Sequence, residues 1–544
     1  MKAKGKHSLL AVLLIAVFSI GSAQSLARPK LVVGLVVDQM RWDYLYRYAD
    51  RYGSDGFKRL LREGFSCENA FIPYTPTYTA AGHSCVYTGS VPSLHGIMGN
   101  NWYSKEERRV VYCTEDAAVQ SVGSTSTAGN MSPKHLWSTT VSDELRLAQN
   151  FRNKTIAISI KDRGAILPGG HSANAAYWFD ATNGHFITST FYMQALPAWV
   201  TGFNARKLPD FYLKQGWKTF FPLTTYRQST GDTPLYENNI PGEGFTFPHR
   251  TDTVTINKYE TFKYLPAGNT VTFEMAKAAI AGERLGQSDS TDLLAISLSS
   301  TDYLGHATGP NSIEAEDMYL RLDRDLAQFL NYLDATVGKE QYLFFLTADH
   351  GAAHVPAFLK ERRIPGGALD DAALQSRLNT GLQKTFGSPG LVSMVINYQV
   401  YLNDLLLAER RLDKKAVKQQ IIDTLIRIEG IAKAFDLQNF EAAMLPEPLK
   451  TMVTNGYNQK LSGDIQFVYK PQWFDGWSRG TTHGVWNPYD SHIPLLWYGS
   501  GINPGRTYRN VSMADIAPTL AALLRIQMPN ASIGNVIEEL VPVR

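Results

Sequence analysis

LVVGLVVD, residues 31–38, decides the fold. Its first seven residues carry four valines and no polar side chain, and the run stops at Asp38. A short β-rich apolar run without alternation reads as a strand buried on both faces, the mark of a parallel sheet. Ligands of open α/β sheets bind beyond the carboxyl ends of such strands. Asp38 is therefore the first candidate site residue. The same grammar recurs along the chain. LLAISLSST (293–301) ends at Asp302, with His306 four residues on; YLFFLTA (342–348) ends at Asp349 and His350. His483 lies in GTTHG, just before the apolar run IPLLWYG (493–499). Any one of these is more simply a capping Asp or a core His. Their joint placement beside apolar runs puts three carboxylates and three imidazoles on one expected rim. That donor set suffices for two divalent cations, and a His-rich mixed set favours Zn²⁺ over Mg²⁺.

Working outward, 544 residues suggest one large α/β domain with insertions, or two to three smaller units. The composition, 44% apolar and 19% charged, is that of an ordinary globular protein. A net charge of +3, without basic runs, gives no support for nucleic acid as the main partner. Residues 1–23 read as a cleaved export signal. Lys2, Lys4 and Lys6 precede an apolar stretch from about Leu9 to Ile20, then Gly21, Ser22 and Ala23. That stretch is short of the ~20 apolar residues of a membrane span. No stable membrane anchor is expected, and the mature chain is expected to be a soluble periplasmic or secreted monomer. An exported chain can form a disulfide, and of Cys67, Cys85 and Cys113 the expected pair is Cys67 with Cys113.

Residues from about 30 to 170 alternate strand and helix. Two insertions are expected, at about 171–290 and 354–470. The first is rich in aromatic residues, Thr and Pro, with weak periodicity, and reads as loops and short elements. The second holds the charged helical stretch RRLDKKAVKQQIIDTLIRI (410–428). Between them, IEAEDMYLRLDRDLAQFLNYLDATV (313–337) has apolar residues at helical spacing between two strands. The expected fold class is α/β, a largely parallel central sheet flanked by helices.

Three further pieces bear on chemistry. In PTYTAAGHS (76–84), Pro and Thr before small residues suggest a loop entering a helix near Thr79. A hydroxyl there has backbone N–H groups and the positive helix end beside it. Locally, an N-cap role for Thr79 is the simpler account, and Thr77, Ser84 and Thr88 are rival hydroxyls. Asn100, in GIMGNNW, is an amide donor on a Gly-flanked turn. Lys161 and Arg163 follow the run KTIAISI (154–160), and alternation in an extended segment would send both the same way. A solvated strand end with a salt bridge is the plainer reading of an isolated K-x-R. Gly305, between Asp302 and His306, is read as a turn point in a tight loop, with a helix start at Asp302 as the other reading. His83, His95, His354 and His492 are assigned structural or supporting roles.

These stretches resemble the alkaline phosphatase superfamily and, within it, the PafA-type phosphate-irrepressible branch. The resemblance rests on VVDQMRWDYL, PTYTAAGHSCVYTGSVPSLHGIMGNNWY, SIKDRGAILPGG, SSTDYLGHATGP, LTADHGA and GTTHG, which occur in that order from about residue 31 to 484. It implies an alkaline-phosphatase-like core with two Zn²⁺ ions. Asp302, His306 and His483 would hold one, and Asp38, Asp349 and His350 the other, joined by Thr79 as nucleophile. Asn100, Lys161 and Arg163 match phosphate-contacting positions. The implied activity is hydrolysis of small-molecule phosphate monoesters, with broad specificity, through a phosphothreonine. A phosphodiesterase or nucleotide pyrophosphatase of the same superfamily is the alternative, and a zinc-binding surface protein without catalysis the non-enzymatic one. Two cations, Lys161 and Arg163, favour the doubly charged monoester. TAAGH lacks the Pro and Arg of a sulfatase nucleophile context.

Overall fold

The computed structural model describes residues 28–232, 236–244 and 246–541. The expected export signal at residues 1–23 lies outside them. The main sheet has eleven strands among the described residues. Eight of them place the site: β1 (Leu31–Val37), β2 (Phe65–Phe71), β3 (Thr155–Ser159), β4 (Ala175–Asp180), β5 (His185–Ser189), β6 (Asp292–Leu298), β7 (Tyr342–Thr347) and β8 (Leu495–Gly499). Their spatial order is β2-β8-β7-β1-β6-β3-β4-β5. The five central strands, β7-β1-β6-β3-β4, are parallel, and the flanking pairs are antiparallel. Every residue of β1, β3, β6 and β7 is buried, which is why these runs are apolar without alternation.

Register makes the rim. Val36 lies opposite Thr347 of β7 and Ser297 of β6, and Ser159 of β3 lies opposite the same Ser297. Four parallel strands thus end level, and the residues just past their ends emerge at one edge.

Five helices complete the frame: α1 (Thr79–Thr88), α2 (Asp162–Gly169), α3 (Pro266–Glu283), α4 (Ser300–Thr308) and α5 (Ile313–Thr336). The expected long helix is α5. Ser312 caps it by accepting from Ala315 N–H at 3.0 Å, and Leu322, Leu326, Phe329, Leu330 and Leu333 form its buried stripe.

Several local expectations are corrected. Residues 300–308 form α4 rather than a turn, so Asp302 and His306 meet because i and i+4 share a helical face. Gly305 serves close approach instead: a Cβ there would lie 2.0 Å from Gln39 Oε1. The chain does not stay extended past β3. Lys161 is the residue preceding α2, and Arg163 lies in the helix's first turn. The stretch 171–290 holds β4, β5 and the 18-residue α3, more than short elements. α3 packs against both the sheet and α5 and is buried on several sides, which erases a one-sided pattern. The Cys67–Cys113 pair is not formed. All three cysteines are free, with Cys67 in the main core and Cys113 in a separate cluster around Trp102 and Leu136. Within 354–470, four antiparallel strands form their own sheet over a second core that includes Leu378, Val400, Ile421 and Phe467.

Candidate active site

The level ends of β1, β6 and β7 bring Asp38, Asp302 and Asp349 together, with His306 from α4, His350 beside Asp349, and His483 from the loop before β8. The six form two groups of potential ligand atoms, Asp302–His306–His483 and Asp38–Asp349–His350, each within 4.8 Å, and His350 and His483 form a third with Asp490. The six are the side chains expected on one rim. Five are buried and His306 is partly exposed.

The hydrogen bonds fix the imidazole tautomers. His306 Nδ1 meets Thr481 O at 2.8 Å, His350 Nδ1 meets Gly351 O at 3.0 Å, and His483 Nδ1 meets Thr77 O at 2.7 Å. A carbonyl oxygen only accepts, so each Nδ1 must donate and each neutral ring keeps its Nε2 lone pair. Those Nε2 atoms face carboxylates. His306 Nε2 is 3.2 Å and His483 Nε2 3.7 Å from Asp302 Oδ1, while His350 Nε2 is 3.5 Å from both Asp38 Oδ1 and Asp349 Oδ2. Burial, followed by its two histidine neighbours, holds His483 well below the usual imidazole range. Lone pairs pointed at anions repel unless cations lie between them.

The carboxylates make the same demand. Asp38 Oδ1 and Asp349 Oδ2 are buried and accept no hydrogen bond among the described residues. Burial, then the charge of Asp349, raises Asp38 well above the carboxylate range. The donor set therefore fits two divalent cations of borderline softness.

Thr79 opens α1. Tyr78, not Thr79, is the N-cap residue, and its own side chain makes no capping bond. Thr79 Oγ1 is instead 3.3 Å from His350 Nε2, beside the Asp38–Asp349–His350 group. Its rivals are placed elsewhere. The Thr77 hydroxyl donates to Val485 O at 3.2 Å and that of Thr88 to Ser84 O at 2.7 Å, while Ser84 Oγ is buried without a partner. Gly82 lets α1 come this close, because a Cβ there would lie 2.6 Å from Asp349 O.

The cations and the amide lie alongside. Lys161 Nζ donates to Asp38 Oδ2 at 2.7 Å and to Asp302 Oδ2, spanning both ligand groups. Arg163 Nη1 donates to Tyr112 OH at 3.0 Å, and its Nε is buried without a partner. Asn100 Oδ1 accepts from Ala80 N–H at 3.0 Å, which leaves the Asn100 NH₂ as the group for a ligand.

A hydroxyl at a helix start, two groups of side chains able to hold a cation and a basic flank stand together. The profile of the type I phosphodiesterase / nucleotide pyrophosphatase family matches residues 32–490. Alkaline phosphatase PhoV of Synechococcus elongatus is 52% identical over 95% of this chain and 94% of its own. The crystal structure of wild-type alkaline phosphatase PafA matches with a TM-score of 0.93 at 47% identity, covering 95% of this chain and 99% of that one. The chain belongs to this family, among the PafA- and PhoV-like alkaline phosphatases. A Myroides odoratus protein named as a calcium-transporting ATPase is also 51% identical over 96% of this chain and 97% of its own. No helix among the described residues here is long and apolar enough to cross a membrane.

This alkaline phosphatase also uses residues that sequence reading passed over. Gln39 donates from its backbone N–H to Asp349 Oδ1 at 3.1 Å and from Nε2 to Asp302 Oδ1 at 2.7 Å, tying both ligand groups together. Its position next to Asp38 was the only signal. Asp490 Oδ2 accepts from Gly484 and Val485 N–H, each at 2.8 Å, and so holds the loop bearing His483. Among the other histidines, His83 bridges the Thr79 carbonyl and Ser297 Oγ, both at 2.9 Å, 3.3 Å from Asp349 Oδ2. His95 is buried and held near 3 by that burial. His354 stacks on Phe358, and His492 is sandwiched between Trp42 and Phe71. A cavity of about 820 Å³ opens at His306, lined in part by Tyr264, Asp371, Asp475, Trp477 and Thr482.

Proposed function

We propose that the chain is an exported, zinc-dependent phosphomonoesterase working through a phosphothreonine at Thr79, as a monomer with broad specificity. The carrying observation is the set of three Nε2 lone pairs and two orphaned carboxylate oxygens gathered beside a helix-start hydroxyl. Asp302, His306 and His483 would hold one Zn²⁺, and Asp38, Asp349 and His350 the other, with Thr79 joining the second. When bound, the two ions supply acidification of the attacking oxygens and neutralisation of charge on the departing one.

Thr79 presents Oγ1 to phosphorus on the α1 side and gives up its proton to solvent as the Oγ1–P bond forms. The opposite P–O ester bond breaks in line, and the alcohol leaves toward His306, taking up a proton. The cavity there is wide enough for varied alcohols, which supports broad specificity. Water then attacks the phosphothreonine. Its O–P bond forms as the Oγ1–P bond breaks, the water gives up a proton to solvent, Thr79 regains one from solvent, and phosphate leaves. Asn100, Lys161 and Arg163 hold the non-bridging oxygens and stabilise their charge. The leader-like composition of residues 1–23 supports export.

Diester hydrolysis is the second reading, favoured by the description of the matched family profile. Rates on p-nitrophenyl phosphate and bis(p-nitrophenyl) phosphate, with and without chelator, decide between them. The monoester is expected to be the far better substrate in wild type. In Lys161→Ala and Arg163→Ala its kcat/KM is expected to fall about 10²-fold more than that of the diester. Equal losses would remove the monoesterase assignment, and activity indifferent to chelation would remove the metals.

A further inference from the structure

The anion-holding residues share one structural support. Residues Asn101–Ser104 and Arg109–Tyr112 form a two-stranded antiparallel hairpin in which Asn101 lies opposite Tyr112. At its open end Cys113 N–H donates to Asn100 O at 3.0 Å. Asn100 and Tyr112 therefore leave the same end of one small rigid unit. Trp102 and Val111 root it in the buried cluster that also contains Ala80 of α1.

Tyr112 reaches back to the site. Its hydroxyl donates to Asp162 Oδ1 at 2.7 Å and accepts from Arg163 Nη1 at 3.0 Å. The other Asp162 oxygen accepts from the Thr114 hydroxyl. The polarity of this chain is forced. A carboxylate can only accept, so the single phenolic proton points at Asp162 and a phenol lone pair is left facing the guanidinium. Burial keeps the phenol neutral well past its usual range, so the proton stays in place. The arginine side chain has many rotamers, and one directed bond at Nη1 restricts the orientation of its planar fork. With Nη1 taken and Nε buried without a protein partner, the rest of the fork is what a phosphoryl oxygen meets.

We propose that Tyr112 is the positioning residue of the anion clamp: held by Asp162, it sets the guanidinium plane of Arg163 and couples it to Asn100 through the hairpin, and so tunes the preference for doubly charged monoesters. The inference rests on the proposed contact of Arg163 with the phosphoryl group.

The test uses Tyr112→Phe, which keeps the ring and deletes the hydroxyl, alongside Arg163→Ala and the double variant. Zinc content and circular dichroism verify folding. Asp162→Asn, which removes the charge orienting the phenol, is the second probe should Tyr112→Phe fail to fold. In Tyr112→Phe, kcat/KM for p-nitrophenyl phosphate is expected to fall about ten- to thirtyfold, the contribution of one hydrogen bond to a charged group. For bis(p-nitrophenyl) phosphate it is expected to change less than about twofold, and Asp162→Asn is expected to show the same selectivity. Adding Tyr112→Phe to Arg163→Ala is expected to cost nothing more. Equal losses on both esters, or a Tyr112 effect that multiplies on top of Arg163→Ala, overturn the positioning role. If Arg163→Ala is selective for monoesters and Tyr112→Phe is not, only this inference falls. If Arg163→Ala itself is unselective, the contact proposed for Arg163 falls and this inference with it.

Discussion

Replacing Lys161 with methionine separates the metal-free from the metal-bound electrostatics of the rim. Methionine keeps the length and packing of the side chain and removes its charge. The ammonium is 2.7 Å from Asp38 Oδ2, also bonds Asp302, and has a side chain only 1% exposed. At an effective dielectric near 20, one such contact attracts by about 6 kcal/mol before desolvation is subtracted. Deleting one partner of a buried pair costs about 3–5 kcal/mol, because the other charges stay buried and uncompensated. The metal-free protein is therefore expected to lose about that much stability. With zinc present the carboxylates have other counter-charges, and the loss is expected to be under about half as large. Burial alone would lower the lysine pKa, but Asp302 and Asp38 carry it above its ordinary 10.5. The folded value exceeds the unfolded one, so this contribution is fully present below pH 10.5 and fades only as pH climbs through the raised value. Measurement at pH 7.5 therefore sees all of it. Denaturant midpoints for wild type and Lys161→Met, in chelator and in saturating zinc, give the four numbers needed. An identical loss in both conditions, or none in chelator, would refute Lys161 as the stand-in counter-charge of the two carboxylates.

Three other outcomes are expected. Elemental analysis after zinc-replete expression gives close to two zinc ions per chain, and chelation abolishes p-nitrophenol release until zinc is returned; a metal-free active protein would contradict this. Thr79→Ala keeps its fold and zinc but loses roughly 10³-fold or more in kcat, as removal of a covalent nucleophile does, and near-native turnover would move the nucleophile elsewhere. Asp371, pushed up to about 8 by burial and then by Asp475 and Asp370, holds a proton when folded that the unfolded chain releases near 3.8; stability therefore falls as pH rises from about 4 to 8. Asp371→Asn is expected to melt a few degrees above wild type at pH 8 and together with it at pH 4, and parallel pH profiles would count against the shift.

Asp38, Asp302, Asp349 and Lys161 were legible because a strand's end is a local event in sequence. An apolar run stops, and the next polar side chain sits at the sheet edge. Equal strand ends then turn four separate local events into one site, through the pairing of Val36 with Thr347 and Ser297 and of Ser159 with Ser297. The partition of the ligands between two ions was not legible this way and came from family resemblance. Conformation beyond the strand end was misread where helix and turn compete over few residues, as at Gly305, where an absent Cβ makes room for Gln39 rather than bending the chain.

The contacts that fix the rim in place were legible least. Gln39 bonds Asp302 across 263 residues of sequence, His483 bonds the Thr77 carbonyl across 406, and Tyr112 meets Arg163 across 51. No periodicity encodes such bonds, because each depends on where a distant backbone comes to rest. The chemistry nonetheless depends on them. A histidine whose Nδ1 lost its carbonyl could take the other tautomer and turn an N–H, rather than a lone pair, toward the neighbouring carboxylates. The ligands can therefore be read from the strands that carry them, whereas their protonation and aim are properties of the assembled fold.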